Sequence, residues 1–173
     1  MVLSPDDRHI AYIQYESGTR PPFGRAYIVD VEGKSSQRLS DNLVASMYWS
    51  PDGKKLAILS LSRPTEGPTA ASGSLAAPLP QEVTLRWWIY KVENKTLEPL
   101  ISFEPTISFL QTVPYFDQYH LSLTFWSPDS RYLVVTKQED NRPNAGTVWV
   151  VDTTEQEEPL EVGHGSLAVW SWQ

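Results

Sequence analysis

The segment Gly163-His164-Gly165-Ser166 is the first place to look for chemistry, because it brings a serine close to a histidine. Hydrolases of the α/β type hold their nucleophile on a Gly-x-Ser-x-Gly turn, which exposes the serine hydroxyl beside its partners. The glycine spacing differs here, and the segment lies between two expected strands. The sequence therefore predicts that Ser166 is a turn residue and that the chain carries no catalytic residue.

Metal and cofactor chemistry also lack a basis in the sequence. The histidines at 9, 120 and 164 are scattered and do not have the short spacings of zinc ligands. The chain has no cysteine, which removes thiolate ligands, thiol nucleophiles and disulfides. It also has no glycine-rich phosphate loop. We expect neither a metal nor a cofactor, and we expect His9 to face solvent in an alternating strand.

Two aspartates stand at equivalent places in similar segments. Asp30 ends the run Ala26-Tyr-Ile-Val-Asp, Asp152 ends Val148-Trp-Val-Val-Asp, and Lys91 takes this place in a third copy. Carboxylates can act in pairs in glycosidases, so a carbohydrate-binding or carbohydrate-cleaving protein stays open as one class of function. The equivalent positions nevertheless favour a structural role at the ends of strands.

The composition indicates a single all-β domain. The 173 residues include seven Trp, eight Tyr, 14 Pro and nine Gly, and 40% are hydrophobic. Aromatic residues suit half-buried sheets, and frequent Pro and Gly favour short strands. The net charge of -7 leaves no basic stripe that could follow a nucleic acid backbone. No apolar run reaches the ~20 residues that span a bilayer, so we expect neither nucleic acid nor a membrane span.

A repeat accounts for most of the chain. Residues 1–12, 47–58 and 124–135 share an apolar start, Ser-Pro-Asp, a basic or histidine position and an alternating apolar run. A partial fourth copy, residues 167–173, closes the sequence. Proline presets the backbone for a turn, and aspartate accepts hydrogen bonds from amides just ahead of it. We therefore expect a hairpin at each Ser-Pro-Asp, with Asp6, Asp52 and Asp129 as turn residues.

Each turn is followed by a second pair of expected strands. Residues 26–30, 88–91 and 148–152 are apolar and run into a polar turn and a wetter strand. Ser4 and Ser50 are 46 residues apart, and Ser127 and Ser171 are 44 apart, near the ~40–45 of a four-stranded propeller blade. The middle repeat is longer. Its extra residues predict an irregular insertion at 63–81 and an aromatic loop at 104–120.

The stretches Trp-Ser-Pro-Asp-Gly-Lys-Lys-Leu-Ala at 49–57 and Phe-Trp-Ser-Pro-Asp-Ser-Arg-Tyr-Leu at 125–133 resemble the PD40, or TolB-like, class of WD40-like propeller repeats. The resemblance covers nearly the whole of residues 1–173 outside the insertion. It implies an all-β fold of about three four-stranded antiparallel blades, a bacterial origin and a periplasmic or extracytoplasmic family habit. The sequence departs from that habit because it opens without a signal peptide and without the extra N-terminal domain of TolB.

Three blades are too few for a closed ring, since propellers use ~4–8 blades. We therefore expect either part of a longer propeller or a homodimer that completes a six-blade ring. In a dimer, residues 167–172 of each copy are expected to supply the innermost strand of the other copy's first blade.

The resemblance implies a non-catalytic scaffold for protein or peptide partners. The alternative is the accessory propeller of a larger prolyl-oligopeptidase-like hydrolase. The best candidates for partner contact lie outside the repeat, where aromatic and polar side chains concentrate: Tyr115, Phe116, Asp117, Tyr119 and His120. The competing interpretation is that this segment fills the gap between blades.

Overall fold

The computed structural model describes residues 1–15, 23–33, 35–62, 83–119, 124–139 and 142–171. Over these residues, eleven strands form three antiparallel sheets, and strands that are neighbours in a sheet are consecutive in the chain. Each sheet is one propeller blade. The expectation of an all-β fold with about three blades is confirmed, and the predicted insertion at 63–81 lies outside the described residues.

The blades are numbered in chain order. Blade 1 contains β1 (Val2–Leu3), β2 (His9–Gln14), β3 (Arg25–Asp30) and β4 (Ser36–Arg38). Blade 2 contains β5 (Val44–Trp49), β6 (Lys55–Leu61), β7 (Leu85–Lys91) and β8 (Thr96–Phe103). Blade 3 contains β9 (Tyr132–Glu139), β10 (Arg142–Asp152) and β11 (Leu160–His164). Its expected innermost strand is reduced to a bridge between Trp126 and Leu133.

The Ser-Pro-Asp turns are closed by the same hydrogen bonds in every blade. In blade 2, the Ser50 hydroxyl donates to the Asp52 carboxylate at 2.7 Å and accepts from the Lys55 amide at 2.9 Å. The Gly53 amide donates to the Ser50 carbonyl at 2.9 Å. The third residue after the serine has a positive φ in each copy: 57° at Asp7, 68° at Gly53 and 62° at Ser130. The predicted hairpins between first and second strands are confirmed in blades 1 and 2, and in blade 3 the same turn joins the Trp126 bridge to β9.

The blades stack through the tryptophans that precede the second and third Ser-Pro-Asp turns. Trp49 of blade 2 donates its indole Nε1–H to the Val2 carbonyl of blade 1 at 3.3 Å. Trp126 of blade 3 donates in the same way to the Tyr48 carbonyl of blade 2 at 2.9 Å. Blade 2 is covered on both sides as a result, and all six residues of β5 are buried. The core of the chain therefore lies between the sheets, centred on blade 2.

Within the aromatic loop predicted at 104–120, the structure has helical turns from Ile107 to Tyr119. Helix α1 (Ile107–Thr112) begins at Thr106, whose hydroxyl accepts from the Phe109 amide, and continues through a 3-10 turn (Val113–Tyr115) into α2 (Phe116–Tyr119). Phe109, Val113 and Phe116 are buried in the core. Their spacing of four and then three residues aligns them on one side of consecutive helical turns, which explains why the segment folds as a helix.

The segment that follows β11 does not form the complete strand expected for residues 167–172. Within the described part, Trp170 makes one antiparallel bridge with Thr124. The approach to it crosses the end of β10, where the Gly165 amide donates to the Gly146 carbonyl at 2.8 Å and Thr106 donates its hydroxyl to the Ser166 carbonyl. The segment therefore lies along the inner part of blade 3.

Candidate interaction site

The serine and aspartate pairs of the repeat are occupied by the turns. The Ser4 and Ser127 hydroxyls donate to Asp6 and Asp129 at 2.6 and 2.5 Å. These hydrogen bonds are the main cause that holds the pKa of Asp6 and of Asp129 below its usual range. Burial alone would raise the pKa of Asp52. The hydrogen bonds from the Ser50 hydroxyl and the Lys54 amide outweigh burial, so the pKa of Asp52 is also below its usual range. The ionised carboxylates therefore serve the hairpins.

The equivalent aspartates at the ends of the third strands also have structural partners. Asp152 is buried, and its carboxylate accepts from the Arg131 guanidinium at 2.9 Å and from the Thr154 amide at 2.8 Å. Burial raises the pKa of Asp152, yet these hydrogen bonds outweigh burial and hold the pKa well below its usual range. The Asp30 carbonyl accepts from the Gly33 amide at 2.9 Å. The predicted strand-end role fits both residues.

The described histidines do not converge. The expectation that His9 faces solvent is wrong, because β2 turns this side chain toward blade 2, where its ring centroid lies 6.3 Å from that of Trp49. His164 is exposed, with Nδ1 3.1 Å from a Glu139 carboxylate oxygen. Ser166 contributes its backbone carbonyl to the contact with Thr106. Over the described ranges, no group of three or more acidic, histidine or cysteine side chains is arranged to hold a metal ion.

The helical segment 107–119 brings some of the predicted contact residues together and separates others. Tyr115 is 50% exposed, whereas Phe116 is 6% exposed and packs edge-to-face on Tyr48 with a centroid distance of 6.1 Å. Asp117 is exposed and lies 3.4 Å from the amino group of Met1. The side chain of Tyr119 and all of His120 lie outside the described residues. Tyr115 and Asp117 are therefore exposed on the helical segment, and Phe116 anchors the segment in the core.

A second surface is the face of blade 1 that points away from blade 2. It is defined here as the outer face of blade 1 and consists of Leu3, Ile10, Tyr12, Tyr27 and Val29. Tyr12 and Tyr27 stack with a centroid distance of 5.4 Å. Leu3 is 45% exposed, and the other four are partly exposed. The signal that could have revealed this surface is Leu3 itself, which stands where the other two repeats have a tryptophan.

Comparisons with known proteins give the fold. No family model matches the chain, and a search of curated proteins finds no match. Among solved structures, the chain is similar to an acylaminoacyl peptidase of Pyrococcus horikoshii at 16% identity and a TM-score of 0.56, over 95% of this chain and 24% of that one. It is also similar to the β-propeller domain of the Trilobed protease from Pyrococcus furiosus, at 18% identity and a TM-score of 0.55, over 90% and 40%.

TolB from Acinetobacter baumannii matches at 17% identity with a TM-score of 0.49, over 90% of this chain and 30% of that one. The chain spans less than half the length of each of these structures. At such identities the likeness establishes a β-propeller fold, and it leaves the activity open. Within the described residues, no helix is long and apolar enough to cross a membrane.

Proposed function

We propose that this chain is a non-catalytic propeller scaffold that binds protein or peptide partners through the helical segment 107–119. The observation that carries the proposal is the position of Tyr115 on an anchored segment. Its side chain is half exposed, whereas Val113 before it and Phe116 after it are buried. A side chain fixed in this way loses little conformational entropy on binding, and tyrosine is enriched at the centres of interfaces. The resemblance of the repeats to TolB-like propellers supports the same function.

The charge around Tyr115 defines the chemistry of the partner. Asp117 is exposed beside it, and the whole chain carries a net charge of -7. A negative surface favours encounter with positively charged groups and disfavours acidic ones. We therefore expect partners in which an arginine or lysine accompanies an apolar side chain. We propose Tyr119 and His120 as further contact residues on the basis of the sequence alone.

The proposal predicts that peptide binding depends on Tyr115. Peptides selected from a random phage-displayed library on the immobilised chain should include a basic and apolar motif. Their affinity, measured by fluorescence anisotropy, should fall roughly 10-fold or more in Tyr115→Ala and further in Tyr115→Ala/Asp117→Ala, because an anchor aromatic typically contributes more than 1 kcal/mol.

Val162→Ala on β11 is the matched control, since this residue is similarly exposed and far along the chain from the helices. A library that yields only peptides whose affinities are unchanged in Tyr115→Ala would contradict the proposal. Circular dichroism of the tryptophan-rich core confirms that each variant is folded.

A second function, the accessory propeller of a larger prolyl-oligopeptidase-like hydrolase, is favoured by a specific observation. The two peptidase structures described above match this chain with TM-scores above 0.5. The test is the coding sequence on both sides of this segment in the genome. A hydrolase domain with a Gly-x-Ser-x-Gly turn in the same reading frame, together with cleavage of an acylaminoacyl substrate by the complete product, would replace the scaffold proposal.

The cellular location that we propose for this chain rests on the family resemblance. TolB-like repeats imply a periplasmic or extracytoplasmic protein of bacterial origin, and we propose that setting for this chain. Fractionation of cells that produce the complete gene product at its native level would test it.

A further inference from the structure

Blades 1 and 2 do not close completely on each other at the end of the sheets that carries the Ser-Pro-Asp turns. A cleft of about 110 Å³ remains between them. Blade 1 forms one wall with β2, β3 and β4, and blade 2 forms the other with the end of β7 and the turn that follows it. The polar and apolar side chains of the lining include His9, Asp30, Gln37, Tyr90, Val92 and Lys95.

Two hairpin turns hold the rim of the cleft. In blade 2, the Asn94 side-chain oxygen accepts from the Thr96 amide at 3.3 Å and from the Thr96 hydroxyl at 2.8 Å. Lys95 lies between these two residues with a positive φ of 55°. In blade 1, the Gly33 amide donates to the Asp30 carbonyl at 2.9 Å. Both walls are therefore carried by short turns next to paired strands, and the cleft is preformed.

Polar side chains of the lining lack partners within the described part of the chain. Tyr90 is 3% exposed, and its hydroxyl makes no hydrogen bond to a described residue. Nδ1 of His9 is buried and equally without a partner there. The side chains of Gln37 and Lys95 form no hydrogen bond or ion pair with described residues. Because buried polar groups in native proteins are nearly always hydrogen-bonded, this set around one cleft points to a ligand.

The next interface shows that the repeat does not require such a set. At the register positions of His9, Asp30 and Gln37, blade 2 carries Lys55, Lys91 and Glu98. Lys55 donates to the Ser130 carbonyl at 3.1 Å and to the Thr153 hydroxyl at 3.0 Å. Lys91 pairs with Glu98 at 2.6 Å. These positions are paired between blades 2 and 3, so the unpaired groups are specific to the cleft between blades 1 and 2.

The side chains of the cleft select a small anion. The Lys95 ammonium group is a donor, and Tyr90 and Gln37 can donate through a hydroxyl and an amide. Burial raises the pKa of the Tyr90 hydroxyl, which therefore stays protonated. Hydrogen bonds from such donors to a carboxylate are charge-assisted and strong. Asp30 is an acidic member of the lining, and its charge disfavours a second negative charge on the ligand.

We propose that the cleft between blades 1 and 2 binds a small free monocarboxylate of the acetate or propionate type, held by the Tyr90 hydroxyl, the Lys95 ammonium group and the Gln37 amide. At ~30 Å³ for a water molecule, 110 Å³ holds roughly four waters, which matches a ligand of about four or five non-hydrogen atoms. A peptide chain needs more room. The site goes beyond the proposed scaffold function, since the cleft and the helical segment adjoin opposite ends of β8.

Nuclear magnetic resonance of the ¹⁵N-labelled chain tests the site directly. Sodium acetate should shift the amide signals of Gln37, Tyr90 and Lys95 saturably, with a dissociation constant in the millimolar range because the ligand is so small. Sodium chloride at matched ionic strength should not, since screening alone does not saturate. Malonate, which carries a second negative charge, should bind more weakly than acetate.

Two conservative variants isolate the donors. Tyr90→Phe keeps the buried ring and removes only the hydroxyl, and it should weaken acetate binding roughly 10-fold, because a hydrogen bond to a charged group is lost. Lys95→Gln should weaken it by a similar factor. Tyr27→Phe on the outer face of blade 1 and Lys54→Gln in the hairpin of blade 2 are the matched controls, and both should bind acetate like the wild type.

The outcomes are decisive in both directions. Absence of saturable shifts at these amides up to about 100 mM acetate, where a millimolar site would be filled, would overturn the proposal. Unchanged affinity in Tyr90→Phe and Lys95→Gln, or equal weakening in the two controls, would overturn it as well. N-acetyl-glycyl-alanine tests the other source of a carboxylate, a peptide C-terminus. Tighter binding of this peptide than of acetate, or of malonate than of acetate, would contradict a site for small free monocarboxylates.

The two proposals fail separately. A chain that binds acetate in the cleft but no peptide through Tyr115 retains the carboxylate site and loses the scaffold function proposed for the helical segment. A chain that binds such peptides but not acetate retains the scaffold function and loses the carboxylate site.

Discussion

At the scale of single residues, the side chains that look most chemical are used to shape the backbone. In each Ser-Pro-Asp turn the serine hydroxyl both donates to the aspartate and accepts an amide, as Ser127 does with Asp129 and Tyr132. The aspartate in turn accepts the amide two residues ahead, which at Asp129 is the amide of Arg131 at 3.1 Å. A serine and carboxylate in this arrangement fix a hairpin.

These turns predict a specific acid sensitivity. The pKa of each of Asp6, Asp52 and Asp129 is lowered from an ordinary value of 3.8, so each carboxylate stabilises the fold above that pH. The stabilisation is lost as pH falls below about 4, through the lowered pKa values, because the folded state then has to take up protons that the unfolded state already holds. Urea unfolding at pH 7, 5, 4 and 3 should show a falling midpoint over the last two steps.

The variant Asp6→Asn/Asp52→Asn/Asp129→Asn isolates this effect. An asparagine oxygen still accepts the serine and amide protons, so the turns should form, with lower stability at pH 7 and a shallower loss below pH 4. The loss should persist in part because Asp152 also has a lowered pKa. Asp41→Asn, in an exposed loop, is the control for removal of an acidic charge. A triple variant with the wild-type acid slope would contradict the explanation.

At the scale of elements, the hairpins and the outer strand pairs could be predicted from the sequence, and the helical segment could not. A Ser-Pro-Asp turn is decided by neighbours within about five residues, so Ser50 and Asp52 reveal it locally. The helix depends on burial of Phe109, Val113 and Phe116 against aromatic residues such as Tyr48, more than 50 positions away. Pro114 also suggests a break, although it is acceptable at the start of the 3-10 turn.

The candidate site was predicted in part for the same reason. The sequence indicates where aromatic residues concentrate, but it does not indicate which of Tyr115 and Phe116 points inward. The exposure of Leu3 depends on which blade faces are covered among the described residues, and no local pattern contains that information. The prediction that His9 faces solvent is wrong because alternation shows which residues of β2 share a face but not which face is covered. The face that carries His9 is covered by Trp49 of blade 2.

Gly146 provides the test at this scale. It lies where β9 and β10 shift register, and a Cβ placed on it would be 2.6 Å from the Lys137 carbonyl oxygen, 2.8 Å from the Thr106 methyl and 2.9 Å from the Gly165 carbonyl oxygen. Two of these atoms are backbone, so the sheet or the C-terminal segment must move. Gly146→Ala should cost about 2 kcal/mol in the free energy of unfolding, measured by urea denaturation.

Gly33→Ala is the informative comparison for Gly146→Ala. Its φ of 69° strains a side chain, but no atom lies within 4 Å of the added Cβ. We expect a cost of about 1 kcal/mol, which is the backbone contribution alone. Equal losses for the two variants would show that the contacts at Gly146 are not limiting.

At the scale of the whole molecule, the three blades differ in burial, because among the described residues only blade 2 has a blade on each side. Ile58 and Leu59 are fully buried on opposite faces of β6, whereas blade 1 keeps Tyr12 and Tyr27 partly exposed. Local stability in a protein follows the number of buried contacts around each element. We therefore expect the local free energy of unfolding to be highest in blade 2 and lowest in blades 1 and 3.

Hydrogen exchange measured by mass spectrometry should reveal this gradient directly. Amides of β6 and β7 should exchange slowest, at the rate of global unfolding, and amides of β4 and β11 at the outer rim should exchange fastest. Leu59→Ala should cost about 3 kcal/mol and speed exchange throughout the stack, because it opens a cavity in the blade on which both neighbours pack. Uniform protection across the three blades would contradict this gradient, because it would mean that the blades unfold as one unit. Slower exchange in β2 than in β6 would also contradict it, because blade 1 would then be at least as stable as blade 2.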